Sequence, residues 1–147
     1  RSGNIITPML EALDSIDYYN VPPPKSLGRE WLEQFFMPVV SNNNYSIPDR
    51  LRTVYQHIAG QITKGLRKNK QASMLVTGGG AFNKFVIELI SEMAGCNVII
   101  PDETLIKYKE ALIFAFLGLL RINHEINCLS SVTGAKSDSI SGIVYYI

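Results

Sequence analysis

The sequence lacks most of the features by which composition alone names a partner. Only two cysteines occur in 147 residues, Cys96 and Cys128. Two distant thiols without a neighbouring ligand cluster exclude a zinc site and give no framework for a secreted disulfide scaffold. Both are expected to be reduced, in a cytoplasmic protein. Charge of one sign is missing too: 14 Lys and Arg against 13 Asp and Glu leave a net charge of +1, spread along the chain. Without a basic stripe or an acidic tail, neither nucleic acid nor a membrane surface is expected as a partner. The longest apolar run, Ala111–Leu120, is far shorter than the roughly 20 residues a spanning helix needs; it reads as a buried core helix. There is no internal repeat, low-complexity tract or interdomain linker, so residues 1–147 are expected to form one domain. No signal peptide is visible, and the opening RSGN in place of Met suits a piece of a longer protein.

What is present suits an α/β domain. The 46% hydrophobic content is enough for a packed core. Thr7 and Pro8 read as the N-cap and first turn of a helix, with Leu10, Leu13 and Ile16 on one face, running to about Tyr18 and stopped by Pro22-Pro23-Pro24. KSLGREW, Lys25–Trp31, is a polar turn into a second short helix through Phe36, ended by Pro38 and Asn42–Asn44. Ser46, with Asp49 three residues on, should cap a helix whose Ile47, Leu51, Val54, Ile58, Ile62 and Leu66 share a face, and Arg67–Lys70 reads as its solvated end. Ser73–Thr77 and Asn97–Ile100 read as short strands around a helix from Phe82 to Ala94 closed by Gly95. A long helix should start at Asp102 or Glu103 and reach Arg121, and the closing GIVYYI can add a strand.

The stretch Val76–Asn83, VTGGGAFN, is where backbone chemistry concentrates. Gly78, Gly79 and Gly80 remove every Cβ between a strand end and a helix start, so a ligand can approach the main chain closely. The helix beyond adds free N–H groups and a positive dipole end. One glycine would mean a tight turn; three in succession favour a ligand. The P-loop pattern fails, because no Lys-Ser or Lys-Thr follows at the right distance. A dinucleotide fingerprint is closer: Gly78 and Gly80 have GxG spacing, and Asp102 stands where a ribose-binding acid belongs, but Asn83 replaces the third glycine. A nicotinamide-dependent oxidoreductase is therefore one alternative, and a non-catalytic nucleotide-binding or assembly module another.

Weaker motifs remain. Lys25, Arg29 and Glu30 most simply make local ion pairs at a helix entry. His57 and His124 have no carboxylate or cysteine at ligand spacing and read as structural. Glu110, before an apolar run, belongs at a helix edge. Val132–Ala135, VTGA, suits either a functional loop or an ordinary turn.

Four blocks in order, PPPKSLGREW (Pro22–Trp31), LVTGGGAFN (Leu75–Asn83), KEALIFAFLG (Lys109–Gly118) and SSVTGA (Ser130–Ala135), resemble the C-terminal part of anhydro-N-acetylmuramic acid kinases. The resemblance implies a place in the sugar-kinase, hexokinase and actin-like ATPase superfamily, whose two ribonuclease-H-like lobes close over ATP. The fold expected is the C-terminal part of one such lobe, helix-rich with a small incomplete sheet. It implies ATP and Mg2+ as requirements and an amino sugar, 1,6-anhydro-N-acetylmuramic acid, as the substrate converted to N-acetylmuramic acid 6-phosphate in cell-wall recycling. Gly78, Gly79, Gly80 and Ala81 would then line the adenosine pocket, with Asn83 close by, and Glu110 would face the sugar. The family's N-terminal glycine loop and catalytic aspartate have no counterpart between Arg1 and Tyr18, so no catalytic residue and no metal ligand are expected in this chain. A fragment inactive alone, but prone to homo-oligomerise through unpaired strand edges, is the corollary.

Overall fold

The computed structural model of the chain describes residues 2–22, 25–41, 44–66 and 72–145. The expectations for Pro23 and Pro24, Asn42 and Asn43, Arg67–Lys70, and the final Tyr146 and Ile147 lie outside the described residues. Backbone contacts divide the chain into two compact units, residues 1–76 with 80–100, and residues 77–79 with 101–147.

In the first unit, helix α1 (Thr7–Asp14) carries Pro8 in its first turn, where no intrahelical N–H is lost. Its N-cap is Ile6, not Thr7. The Ile6 N–H donates to Thr53 Oγ1 at 2.9 Å, so a neighbouring helix holds the entry. The helix also stops short of Tyr18, because the Ser15 hydroxyl donates back to the Ala12 carbonyl and Asp17–Tyr19 tightens into a 3-10 turn. Helix α2 (Arg29–Trp31) passes through a π turn (Leu32–Phe36) into α3 (Met37–Val40). The expected stop before Pro38 does not occur, since Pro38 falls in the first turn of α3, where a missing N–H costs least.

Helix α4 (Ile47–Lys64) starts as its sequence dictates: Ser46 Oγ accepts from the Asp49 N–H at 3.2 Å and donates to Asp49 Oδ2 at 2.7 Å. Its two sides serve two apolar clusters. Val54 packs with Ile6, Met9, Leu13, Phe36 and Val40, while Ala59 and Tyr55 pack with Leu89, Ile90 and Ala94. The second cluster seats helix α5 (Lys84–Ala94) between strands β1 (Ser73–Leu75) and β2 (Asn97–Ile99). The strands pair in parallel, Met74 opposite Val98, with α5 as the crossover. Gly95 ends α5 in the left-handed conformation, φ +64°. The result is helix-rich α/β with a two-stranded sheet.

The second unit is built on helix α6 (Glu103–Ile122), capped by Asp102, whose Oδ1 accepts from the Leu105 N–H at 2.9 Å. Here the reading of Ala111–Leu120 as a buried helix is overturned: Leu112, Phe114 and Phe116 are 61%, 71% and 57% exposed. The rest of this unit, a short helix α7 (Ser130–Thr133) and loops, leaves that face open, with its own Val132, Ile143 and Tyr145 exposed as well. Nor do residues 143–145 form a strand. Side chains take the carbonyls a ladder would use: Arg121 Nε donates to Gly142 O and Asn127 Nδ2 to Ser141 O. Among the described residues the segment keeps one isolated antiparallel bridge, Cys128 to Ser139.

Candidate nucleotide-side turn

The pairing of β1 with β2 runs one bond past the strand, with the Val76 N–H donating to the Ile99 carbonyl at 2.9 Å. Thr77 follows, and Gly78 adopts φ +84°, a conformation costly for any residue with a Cβ. Gly79–Phe82 then coils into a 3-10 turn, so the glycines do not lead straight into the α-helix as expected. Asn83 intervenes as the N-cap of α5, its Oδ1 accepting from the Val86 N–H at 3.3 Å. The orphan donors at the start of α5 are thereby partly satisfied by the protein itself.

Gly79 and Gly80 have no positive φ, and a Cβ built on either meets no atom within 4 Å. Neither backbone conformation nor internal packing therefore demands glycine there. The main chain at these two positions is open to close approach from outside this chain. Ala81 is buried, at 6% exposure, main chain included.

Lys109, on α6, donates from Nζ to Thr77 Oγ1 at 2.7 Å within the second unit. The sequence gives Lys109 no role beyond opening the block Lys109–Gly118, and Thr77 none beyond ending the expected strand; the charged pair Lys109-Glu110 directly ahead of the apolar run Ala111–Leu120 was the available signal. Glu110 is exposed, and its side chain makes no hydrogen bond or ion pair among the described residues. On the preceding turn Glu103 pairs with Lys107 at 2.6 Å.

Other singled-out residues resolve into local roles. Arg29 and Glu33 form an exposed i,i+4 pair at 2.7 Å, and Lys25 donates to the Tyr18 carbonyl while lying 4.9 Å from its ring centre. Tyr18, Trp31 and Phe35 line an open surface cavity of about 440 Å³, an aromatic grouping the sequence did not suggest. His57 is buried, its Nδ1 bonded to Asp14 Oδ1 at 2.7 Å and its ring edge-on to Tyr19. Burial pushes its pKa below the ordinary 6.5, with Asp14 pulling the other way. Residues 132–135 are the end of α7, closed by Gly134 at φ +72°. Asp138 accepts from both the hydroxyl and the N–H of Ser130, which hold its carboxyl below its usual range. Asp102, the acid on which the dinucleotide reading leaned, works as a helix cap.

Among the described residues no helix is long and apolar enough to cross a membrane, and no cluster of three or more metal-ligating side chains occurs. The chain is 34% identical over 99% of its length to an anhydro-N-acetylmuramic acid kinase of Sulfurovum sp. (strain NBC37-1), of which it covers 41%. It is 33% identical to one of Actinobacillus pleuropneumoniae serotype 7 and 32% identical to one of Francisella tularensis subsp. novicida, again over 99% of this chain and over 42% and 40% of theirs. The chain thus spans about two fifths of the length of these curated relatives. The family model for anhydro-N-acetylmuramic acid kinase matches residues 1–147. With its whole length matched, the chain belongs to the anhydro-N-acetylmuramic acid kinase family.

Proposed function

We propose that this chain is the nucleotide-side part of an ATP-dependent kinase that converts 1,6-anhydro-N-acetylmuramic acid to N-acetylmuramic acid 6-phosphate in cell-wall recycling, in the cytoplasm. One observation carries the nucleotide assignment: a Cβ at Gly79 or Gly80 would meet no atom of this chain within 4 Å, so the bare main chain there is open to a ligand. Backbone of Gly78, Gly79, Gly80 and Ala81 takes the adenosine side of ATP, with the Asn83 side-chain amide beside it. Glu110, its side chain free of protein partners among the described residues, contacts the sugar. We place the chain in a ribonuclease-H-like lobe of the actin-like ATPase kind, as the C-terminal part of a two-lobe enzyme.

The reaction adds water across the anhydro bridge while the γ-phosphoryl group passes to O6. It needs a carboxylate to accept the water's proton and charge neutralisation at the phosphates, for which magnesium is the usual ion. This chain's share is positioning: a main-chain cradle for the nucleotide and a carboxylate on the sugar. The base and the metal ligands belong to residues outside 1–147, and the 147-residue chain alone is inactive.

The test is expression from the complete reading frame and assay of ATP-dependent phosphate transfer to the anhydro sugar. Turnover that falls at least tenfold on Gly80→Val, with thermal stability retained, supports the reading. A Gly80→Val enzyme as active as the parent overturns the assignment of the turn. Turnover by the 147-residue chain alone overturns its assignment as an incomplete site.

A further inference from the structure

Lys109 is a half-buried ammonium on α6, and none of the ion pairs among the described residues involves it. Its one protein acceptor there is Thr77 Oγ1 at 2.7 Å. An ammonium has three N–H donors, so two remain for something else. A partly buried cation with no counter-charge among the described residues has room for an anion to complete it. The anchor matters as much as the charge. Thr77 immediately precedes Gly78, whose positive φ opens the glycine turn, so the bond fixes the ammonium against the start of that turn. A neutral hydroxyl acceptor holds the ammonium in place without spending its charge. That is the disposition of a phosphate-binding lysine, a point charge with rotatable donors.

We infer that Lys109 is a nucleotide-binding residue, held by Thr77 and presenting its charge to the phosphate chain of the nucleotide at the Thr77–Gly79 turn. This rests on the kinase reading above, and adds to it the residue that recognises the anionic part of the ligand. Bare glycine backbone accommodates the neutral nucleoside; Lys109 distinguishes a nucleotide from it.

Calorimetry with two probes, ADP and adenosine, on the protein from its complete reading frame separates these roles. Lys109→Gln keeps a donor for Thr77 but no charge. It is expected to weaken ADP at least tenfold and adenosine less than threefold, with Lys109→Arg recovering most of the ADP affinity. Rising salt should weaken ADP less in Lys109→Gln than in the parent. Equal losses for ADP and adenosine, or none, overturn the inference and leave the kinase reading standing, because the parent still binds nucleotide. A parent that binds neither probe overturns both. Should Lys109→Gln fail to fold, Thr77→Val unties the ammonium without removing it. A loss of about threefold confined to ADP then supports the inference, and a loss shared by adenosine overturns it.

Discussion

Replacing Asp14 by Ala is a sharp test of how the first unit is held together. The Asp14 carboxylate accepts from His57 Nδ1 at 2.7 Å and from Gln61 Nε2 at 2.8 Å through the same oxygen. The histidine side chain is 1% exposed, whereas that of Asp14 is 40% exposed. Removing the acceptor leaves a buried Nδ1–H with no partner, at a cost of about 1–3 kcal/mol. His57 Nε2 already lacks a partner among the described residues, so turning the ring offers no escape. The exposed carboxylate and the adaptable Gln61 argue for the middle of that range, about 2 kcal/mol. For a chain of this size that is a fall in Tm of roughly 6–8 °C. Urea denaturation at pH 7.5 measures it, and a loss below about 0.3 kcal/mol would refute the reasoning.

The same pair sets a pH dependence. His57 is held neutral below the ordinary 6.5 by burial, so on acidification the unfolded chain takes up this proton first. Its contribution is therefore fully present above about pH 6.5 and declines as the pH drops below that, until the folded-state value is reached. Without Asp14, which supports the charged ring, the decline should continue to lower pH. Stability that is flat or rising between pH 7 and 5.5 would contradict the assignment.

Three further outcomes are expected. Gly95→Ala should cost about 1–2 kcal/mol by denaturation, because φ +64° penalises a Cβ although nothing lies within 4 Å of it. Ser46→Ala should cost about 1 kcal/mol through the lost cap of α4. The Asp49 carboxyl is held low first by the Asn4 N–H and then by Ser46, so its support is present above its ordinary 3.8 and is lost only as the pH falls below that. The 147-residue chain by itself should self-associate through the apolar face of α6, with Phe114→Asp weakening the association; a concentration-independent monomer by light scattering would refute this.

What the sequence made legible was chiefly local. The cap at Ser46, the helix end at Gly95 and the start of α6 at Asp102 follow from single side chains or single dihedrals, and each is found where expected. Errors arose where a distant partner decides. Thr7 loses the cap role because Thr53 holds Ile6 from another helix. Ala111–Leu120 has core composition, but composition does not say whether anything lies against it. At the glycine turn the bare backbone was readable. The Thr77–Lys109 bond joins residues 32 positions apart, and no local pattern announces it.

The π turn at Leu32–Phe36 has a consequence for how this helix tolerates change. One residue too many for an α-helical ladder is stored there, between Trp31, which packs on the tyrosines of the preceding 3-10 turn, and Val39 and Val40, which pack towards α1. Each residue of an α-helix turns the chain by about 100°. Removing that extra residue would straighten the ladder while rotating one set of anchors away from the other. The irregular hydrogen bonding is thus an angular spacer, and the local fold depends on the count of residues between its anchors as much as on their kind.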